Sequence, residues 1–359
     1  SPNGTMKFFA FSFFLIFFCR CYVENDNVSE NNAAETLGIE SILSEQQKIE
    51  LLNNEIRENP DSPNGYFKRS KHYLEIGETQ KAREDINMCI NMSPETSIFY
   101  QEKAKLLYNL AEFDNCEQYA MKSIELDSTA KESHLLLGKI YMAIPNYGKA
   151  MDQFNAALKI DKFYAEPYFY KGLTFARAGD TINAVSSFIT ATEQFSDYYE
   201  AYIELGILYS NHDGADKKRA LLYFDNALQI EPNSIEALLA KGIFLQNNQS
   251  LELADSCYNL ILNLQPDFEV AYYNKGYIHL LTYHNEWDKE KNDSVLALAI
   301  KDFTSAVNIN SQYVQSYHNR GVCYELMGDT LSAKLDYSTA LKIDPFFDLS
   351  EYALKSINN

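Results

Sequence analysis

The sequence predicts an all-α solenoid, one helical hairpin stacked many times along the chain. Three observations predict it. The skeleton of "SYHNRGVCYELMGDTLSAKLDYSTALKIDP" (316–345) returns, similarly spaced, in "PYFYKGLTFARAGDTINAVSSFITATEQFS" (167–196). Unit ends fall at Pro60, Pro94, Ser128, Lys162, Ser196, Pro232, Pro266, Ser311 and Pro345, and six of the eight intervals are 34 residues. Small and aromatic residues recur in fixed columns inside these units. A hairpin that cannot bury its apolar face alone must repeat the residues that dock it on its neighbour.

Bulk properties narrow the function. Hydrophobic residues make up 46% of the 359, ample for a packed core. The formal charge is −19, with 50 acidic residues against 31 basic ones, which argues against nucleic acid as a partner. Cys89, Cys116, Cys257 and Cys323 are scattered without a CxxC pair, so they read as small packing residues. No nucleophile–base arrangement, phosphate loop or HExxH motif occurs, and the six histidines are dispersed. The expectation is a chain that is no enzyme and needs no cofactor or metal.

The elements follow in order. Residues 1–21 read as a signal peptide starting at Met6, with Lys7 before an apolar run from Phe8 to Phe18. Cys19 and Cys21 follow directly. Their setting resembles the lipobox of bacterial lipoproteins, in which the Cys is acylated, although Phe18 stands where that pattern wants a small residue. Ordinary cleavage before Tyr22 is the alternative. Residues 22–39 are acidic and Asn-rich and read as a tether, spanning on the order of 20 Å as a coil. Residues 40–59 read as a leading cap helix, and 349–357 as a trailing one.

Between the caps each column has a physical reason. Gly138, Gly172, Gly206, Gly242, Gly276 and Gly321 sit mid-way along the first helix of their units, where Gly costs about 1 kcal/mol against Ala. That cost implies close approach of a second helix carrying Ala150, Ala184, Ala220, Ala254, Ala299 and Ala333. Phe154, Phe188, Phe224, Tyr258, Phe303 and Tyr337 fill the space one turn on. Asp180 and Asp329 stand at N-cap positions of second helices.

These columns and their period resemble the tetratricopeptide repeat. The resemblance gives eight units: 63–96, 97–130, 131–164, 165–198, 199–234, 235–268, 269–313 and 314–347. The first two are degenerate, with Ser70 and Ala104 in place of Gly. It implies a right-handed superhelix whose concave groove, lined by first helices, binds a partner peptide or helix. The groove columns hold Lys71, Lys105 and Lys139, then Leu173, Ile207, Ile243 and Tyr277. Four residues earlier stand Phe67, Phe169, Ile203, Leu239 and Tyr273. The expectation is a basic N-terminal section and an apolar, aromatic-rich C-terminal one; burial of the same residues as core is the competing reading. Extra residues in the seventh unit, within 283–298, read as a rim loop carrying Trp287.

With the leader, the resemblance implies an exported protein-interaction scaffold of a Gram-negative envelope. It would be lipid-anchored in the periplasm or outer membrane, with other envelope proteins as partners. A lipoprotein that binds glycans for nutrient uptake is the alternative.

Overall fold

The computed structural model describes residues 43–211, 216–284 and 288–358. The leader, the tether, Cys19, Cys21, residues 40–42 and Trp287 lie outside them. Among the described residues there are eighteen helices and no strand.

Helix α1 (Glu45–Glu58) opens on a capping box. The Ser44 hydroxyl accepts from the Gln47 amide, and the Gln47 side chain accepts from the Ser44 amide. Eight pairs follow: α2 (Pro63–Glu75) and α3 (Thr79–Met92); α4 (Ser97–Asn109) and α5 (Phe113–Leu126); α6 (Lys131–Ala143) and α7 (Tyr147–Ile160); α8 (Ala165–Arg177) and α9 (Thr181–Gln194). Then come α10 (Tyr199–Ser210) and α11 (Asp216–Ile230); α12 (Ile235–Asn247) and α13 (Leu251–Leu264); α14 (Glu269–Thr282) and α15 (Lys289–Ile309); α16 (Val314–Leu326) and α17 (Thr330–Ile343). Helix α18 (Asp348–Asn358) closes the series. The chain forms two compact units, up to Pro167 and from Tyr168 onward. Within the first, α2 packs on α3, α4 on α5 and α6 on α7, and each second helix meets the next first helix. The second unit repeats this from α9 to α18, and there α10 touches α12, α12 touches α14, and α14 touches α16. The fold is all-α, a succession of helix-turn-helix pairs.

The mid-helix glycines answer to aromatic rings. A Cβ on Gly138 would lie 2.3 Å from the Phe154 ring, and one on Gly206 would lie 2.5 Å from Phe224. The tight contact is therefore with the aromatic one turn beyond the Ala, not with the Ala itself. Both members are buried at each site: Ala220 and Phe224, for example, are at most 1% exposed. The degenerate units solve the same contact differently. Ser70 is fully buried and donates its hydroxyl to the Phe67 carbonyl at 2.7 Å, while Cys116 donates its thiol to the Ala104 carbonyl at 3.1 Å. Gly179 and Gly328 adopt φ of 78° and 81° in the turns between paired helices, a left-handed conformation that ends the first helix cheaply only with Gly. Asp180 and Asp329 then cap α9 and α17, accepting from the Asn183 and Ser332 amides at 3.1 Å.

A second recurring contact runs between units. A cation just before the Gly column reaches a residue sixteen positions back on the preceding second helix. Lys103 donates to Asn87 at 2.8 Å and Lys241 to Asp225 at 2.6 Å. Two arginines also reach sixteen positions forward. Arg69 joins Asn53 on α1 to Asp85 on α3, and Arg320 joins Thr304 on α15 to Asp336 on α17. Both hold the carboxylate bidentately at 2.7 Å. Where the cation is missing, Leu137 and Leu205 occupy its place, at most 3% exposed.

The extra residues of the seventh pair lengthen a helix. Helix α15 has 21 residues against 14 in most second helices, so only 283–288 separate it from α14. Asp288 caps it by accepting from the Lys291 amide at 2.8 Å, Glu290 favours its N-terminal dipole, and Leu296 is buried. This differs from the loop expected over 283–298.

At the C-terminal end, His318 holds α18. Its Nδ1 lies 3.0 Å from the Ser350 hydroxyl, and its ring packs on Tyr337 and Phe347. Burial drives its pKa down from 6.5 to about 4.

Two outcomes are expected. Gly206→Ala gains helix propensity but overpacks Phe224, so urea melts will show a net loss of about 1–3 kcal/mol, largely recovered by adding Phe224→Leu. For His318, the unfolded chain takes up the proton first, so its contribution is present above pH 6.5 and is lost as pH falls toward 4. The fall in melting temperature between pH 7 and pH 4.5 will be smaller in His318→Gln than in the wild type.

Candidate functional site

The first helices place the candidate residues one turn apart on a single face, since positions i and i+4 are neighbours on a helix. On α2 these are Phe67 and Lys71, with the Lys71 ammonium 4.8 Å from the Phe67 ring centroid. Lys71 is exposed. The rest of the lysine column is less available. Lys105 is half-buried and 3.6 Å from Glu102. Lys139 is 8% exposed and lies 5.0 Å above the Tyr108 ring. A long aliphatic stem lets such a lysine pack along neighbouring side chains while its charge rests on an aromatic face.

In the second unit the apolar columns divide by depth. Ile203 on α10 is 2% exposed and is core. Phe169 is buried against Phe188 and Tyr198, with centroids 5.6 and 5.0 Å away. Leu173, Ile207, Leu239, Ile243, Tyr273 and Tyr277 are half-buried and keep part of their surface open. Tyr273 stacks on Tyr277 at 6.3 Å, packs on Tyr313 at 5.0 Å and accepts from Asn319 at 3.3 Å. Burial pushes its hydroxyl up to about 12, so it stays neutral. Some of these residues are core and others line an accessible apolar face; Trp287 lies outside the described residues.

One residue on this face was not among those predicted. Glu204, on α10 between Ile203 and Ile207, is closely surrounded by protein yet still partly reached by solvent. Burial pushes its carboxyl from 4.5 up to about 7, Glu236 on α12 adds to the rise, and Arg177 on α8 opposes it. Its signal in the sequence was faint. Units three to six carry Glu132, Glu166, Glu200 and Glu236 near the start of their first helices, so another Glu one turn later does not stand out.

The described cysteines offer no reactive thiolate. The four described cysteines are buried, and burial holds the Cys89, Cys116 and Cys323 thiols up to about 12, far from a reactive thiolate. Among the described residues no group of His, Cys, Asp or Glu converges to hold a metal ion, and no helix is long and apolar enough to cross a membrane.

Comparison with known proteins finds the same helix-pair repeat. Residues 98–129, 131–164 and 314–347 match the family model of the tetratricopeptide repeat. Tetratricopeptide repeat protein 13 of Homo sapiens is 26% identical over 191 residues, which cover 52% of this chain and 22% of that protein. BBSome complex member BBS4 of Bos taurus is 22% identical over 291 residues, covering 75% of this chain and 56% of that protein. The chain thus spans well under two thirds of the length of either relative. Among solved structures, the APC/C hetero-tetramer Cut9–Hcn1 superposes over 88% of this chain and 59% of its own, with a TM-score of 0.53 and 13% identity. At that identity the likeness shows the fold alone.

The raised pKa of Glu204 sets a pH signature. The folded chain binds this proton more tightly than the unfolded one, so the stabilisation is complete below pH 4.5 and is lost as pH rises through 7. Glu204→Gln keeps the shape and removes the ionisation. Its melting temperature will match the wild type at pH 4 and exceed it at pH 8.

Proposed function

We propose that this chain, which carries tetratricopeptide repeats, is a non-enzymatic scaffold that holds a partner peptide or helix against its first helices. Proteins built of this repeat act as protein-interaction scaffolds. The observation that carries the finer reading is the half-buried apolar row in the second unit, Leu173, Ile207, Ile243 and Tyr277 in one column on consecutive first helices, with Leu239 one turn before Ile243. Side chains of this type at partial exposure fit an amphipathic helix or extended segment laid across them. Lys71 gives the first unit an exposed cation for an acidic residue of such a segment.

Export and lipid anchoring in a bacterial envelope, with other envelope proteins as partners, form the cellular part of the proposal. They rest on residues 6–21, the apolar run with Lys7 before it and Cys19 and Cys21 after it. Mass spectrometry of the mature N-terminus checks this part: an acylated Cys19 or Cys21 supports it, and an intact Met6 overturns it.

The interaction surface is tested by photocrosslinking in cells, with a benzophenone amino acid at Tyr277 on the first-helix face or at Leu222, which is 56% exposed on the second helix α11. Discrete crosslinked species are expected from position 277 and not from 222. Equal yields, or products from 222 alone, would place binding elsewhere.

A further inference from the structure

The chain joins the first unit beside an exposed cation. Helices α1 and α2 pack together in opposite directions: Lys68 meets Glu55 at 2.7 Å towards one end, and His72 meets Glu45 at 3.1 Å at the other. Glu45 is the first residue of α1, so the preceding chain joins the fold next to His72 and therefore next to Lys71. Lys71 is exposed, and its ammonium rests 4.8 Å from the half-buried Phe67 ring. Glu75, one turn on, turns to His72 at 3.3 Å instead. Other lysines of the unit have carboxylates, Lys105 near Glu102 and Lys131 on Asp161. Among the described residues the Lys71 ammonium meets none.

The segment that joins at this point has the chemistry the spot lacks. Residues 22–42, outside the described residues, contain Glu24, Asp26, Glu30, Glu35 and Glu40 and no Lys or Arg. Glu35 and Glu40 bracket Leu37 and Ile39, so charged and apolar side chains stand close together, as Lys71 and Phe67 do on α2. Glu40 stands five positions before Glu45 and Glu35 ten, giving a reach of at most about 18 and 36 Å. A segment joined so closely acts at an effective concentration on the order of millimolar. An exposed ion pair with one apolar contact then suffices for partial occupancy.

We propose that residues 35–40 dock in cis on the first-helix face of α2, with Glu35 or Glu40 on Lys71 and Leu37 or Ile39 against Phe67. The proposal rests on that face being a binding surface and adds that the chain's own acidic segment occupies it. A partner bringing an acidic residue to Lys71 must displace the segment, and its apparent affinity falls by the fraction of chains whose face is open. The first unit is thus gated by competition from within the chain.

Benzoylphenylalanine placed at position 67 of the purified chain is irradiated at low salt, and the crosslinks are mapped by mass spectrometry, each variant being checked for cooperative melting. A monomeric product joining position 67 to residues 35–40 is expected. Its yield should fall about two- to five-fold in Lys71→Gln and in the double variant Glu35→Gln, Glu40→Gln, the range of an exposed ion pair. Added salt should lower it likewise. A second arm adds a labelled synthetic peptide of residues 30–42 in trans. It should crosslink to position 67 more strongly in the double variant, whose own segment competes less, than in the chain that keeps both carboxylates. Absence of the cis product, a yield indifferent to these charges, or a product that runs as a dimer overturns the cis seat, and the binding face stands if the trans peptide still crosslinks. If neither segment nor peptide reaches position 67, both readings of the first unit fall.

Discussion

In each regular hairpin the space beside one residue of the first helix is filled by a ring from the second. A Cβ at the glycine would stand 2.3–2.9 Å from Phe or Tyr at all six positions, closer than carbon atoms pack, so glycine is held there by exclusion. The ring is buried, the adjoining Ala is buried, and the two helices of the hairpin approach closely. The turn glycines, the N-caps of α9 and α17 and the inter-unit cations all elaborate a geometry set by this contact. Stability in such an array is a sum of hairpin and neighbour terms, so a change at one ring–glycine contact is felt first by its own unit and the two beside it.

The hairpin pattern was legible in the sequence because it is local and periodic. Gly206 and Phe224 lie in one unit, and the same relation recurs in five others. The contact's true partner was less legible: the Ala column seemed to demand the glycine, whereas the ring does, because an aromatic side chain reaches past the Ala to the opposite backbone. The inter-unit bridges are hard to read in the sequence for another reason. Arg320 to Thr304, between units, and Arg320 to Asp336, within one, are each sixteen residues apart, but the cations alternate with Leu137 and Leu205 and the acceptors vary among Asp, Asn and Thr. A column whose chemistry changes hides from a search for constant residues.

The candidate site was readable by position and not by depth. The sequence placed Lys71, Lys105 and Lys139 in one column, yet their surroundings differ: the ring of Phe67, a nearby Glu102 and the ring of Tyr108. Likewise Ile203 sinks into the core while Ile207, one turn on, stays accessible. Helical periodicity assigns a face, and the neighbouring hairpin decides how much of that face remains open. Glu204 shows the limit most clearly. Its raised carboxyl comes first from burial, with Glu236 on α12 adding to the rise, and its own sequence neighbourhood holds no sign of it.

The bridging arginines carry a further meaning. Arg69 reaches back to the opening helix and Arg320 to the preceding hairpin, and each reaches forward within its own pair, so both halves of the joint are encoded inside a segment of about one repeat period. A gene duplication that copied such a segment in frame would bring the linking cation and its forward acceptor along. Growth of the array by tandem copying therefore needs no coordinated change elsewhere in the coding sequence, and the same economy lets a unit be deleted without orphaning its neighbours.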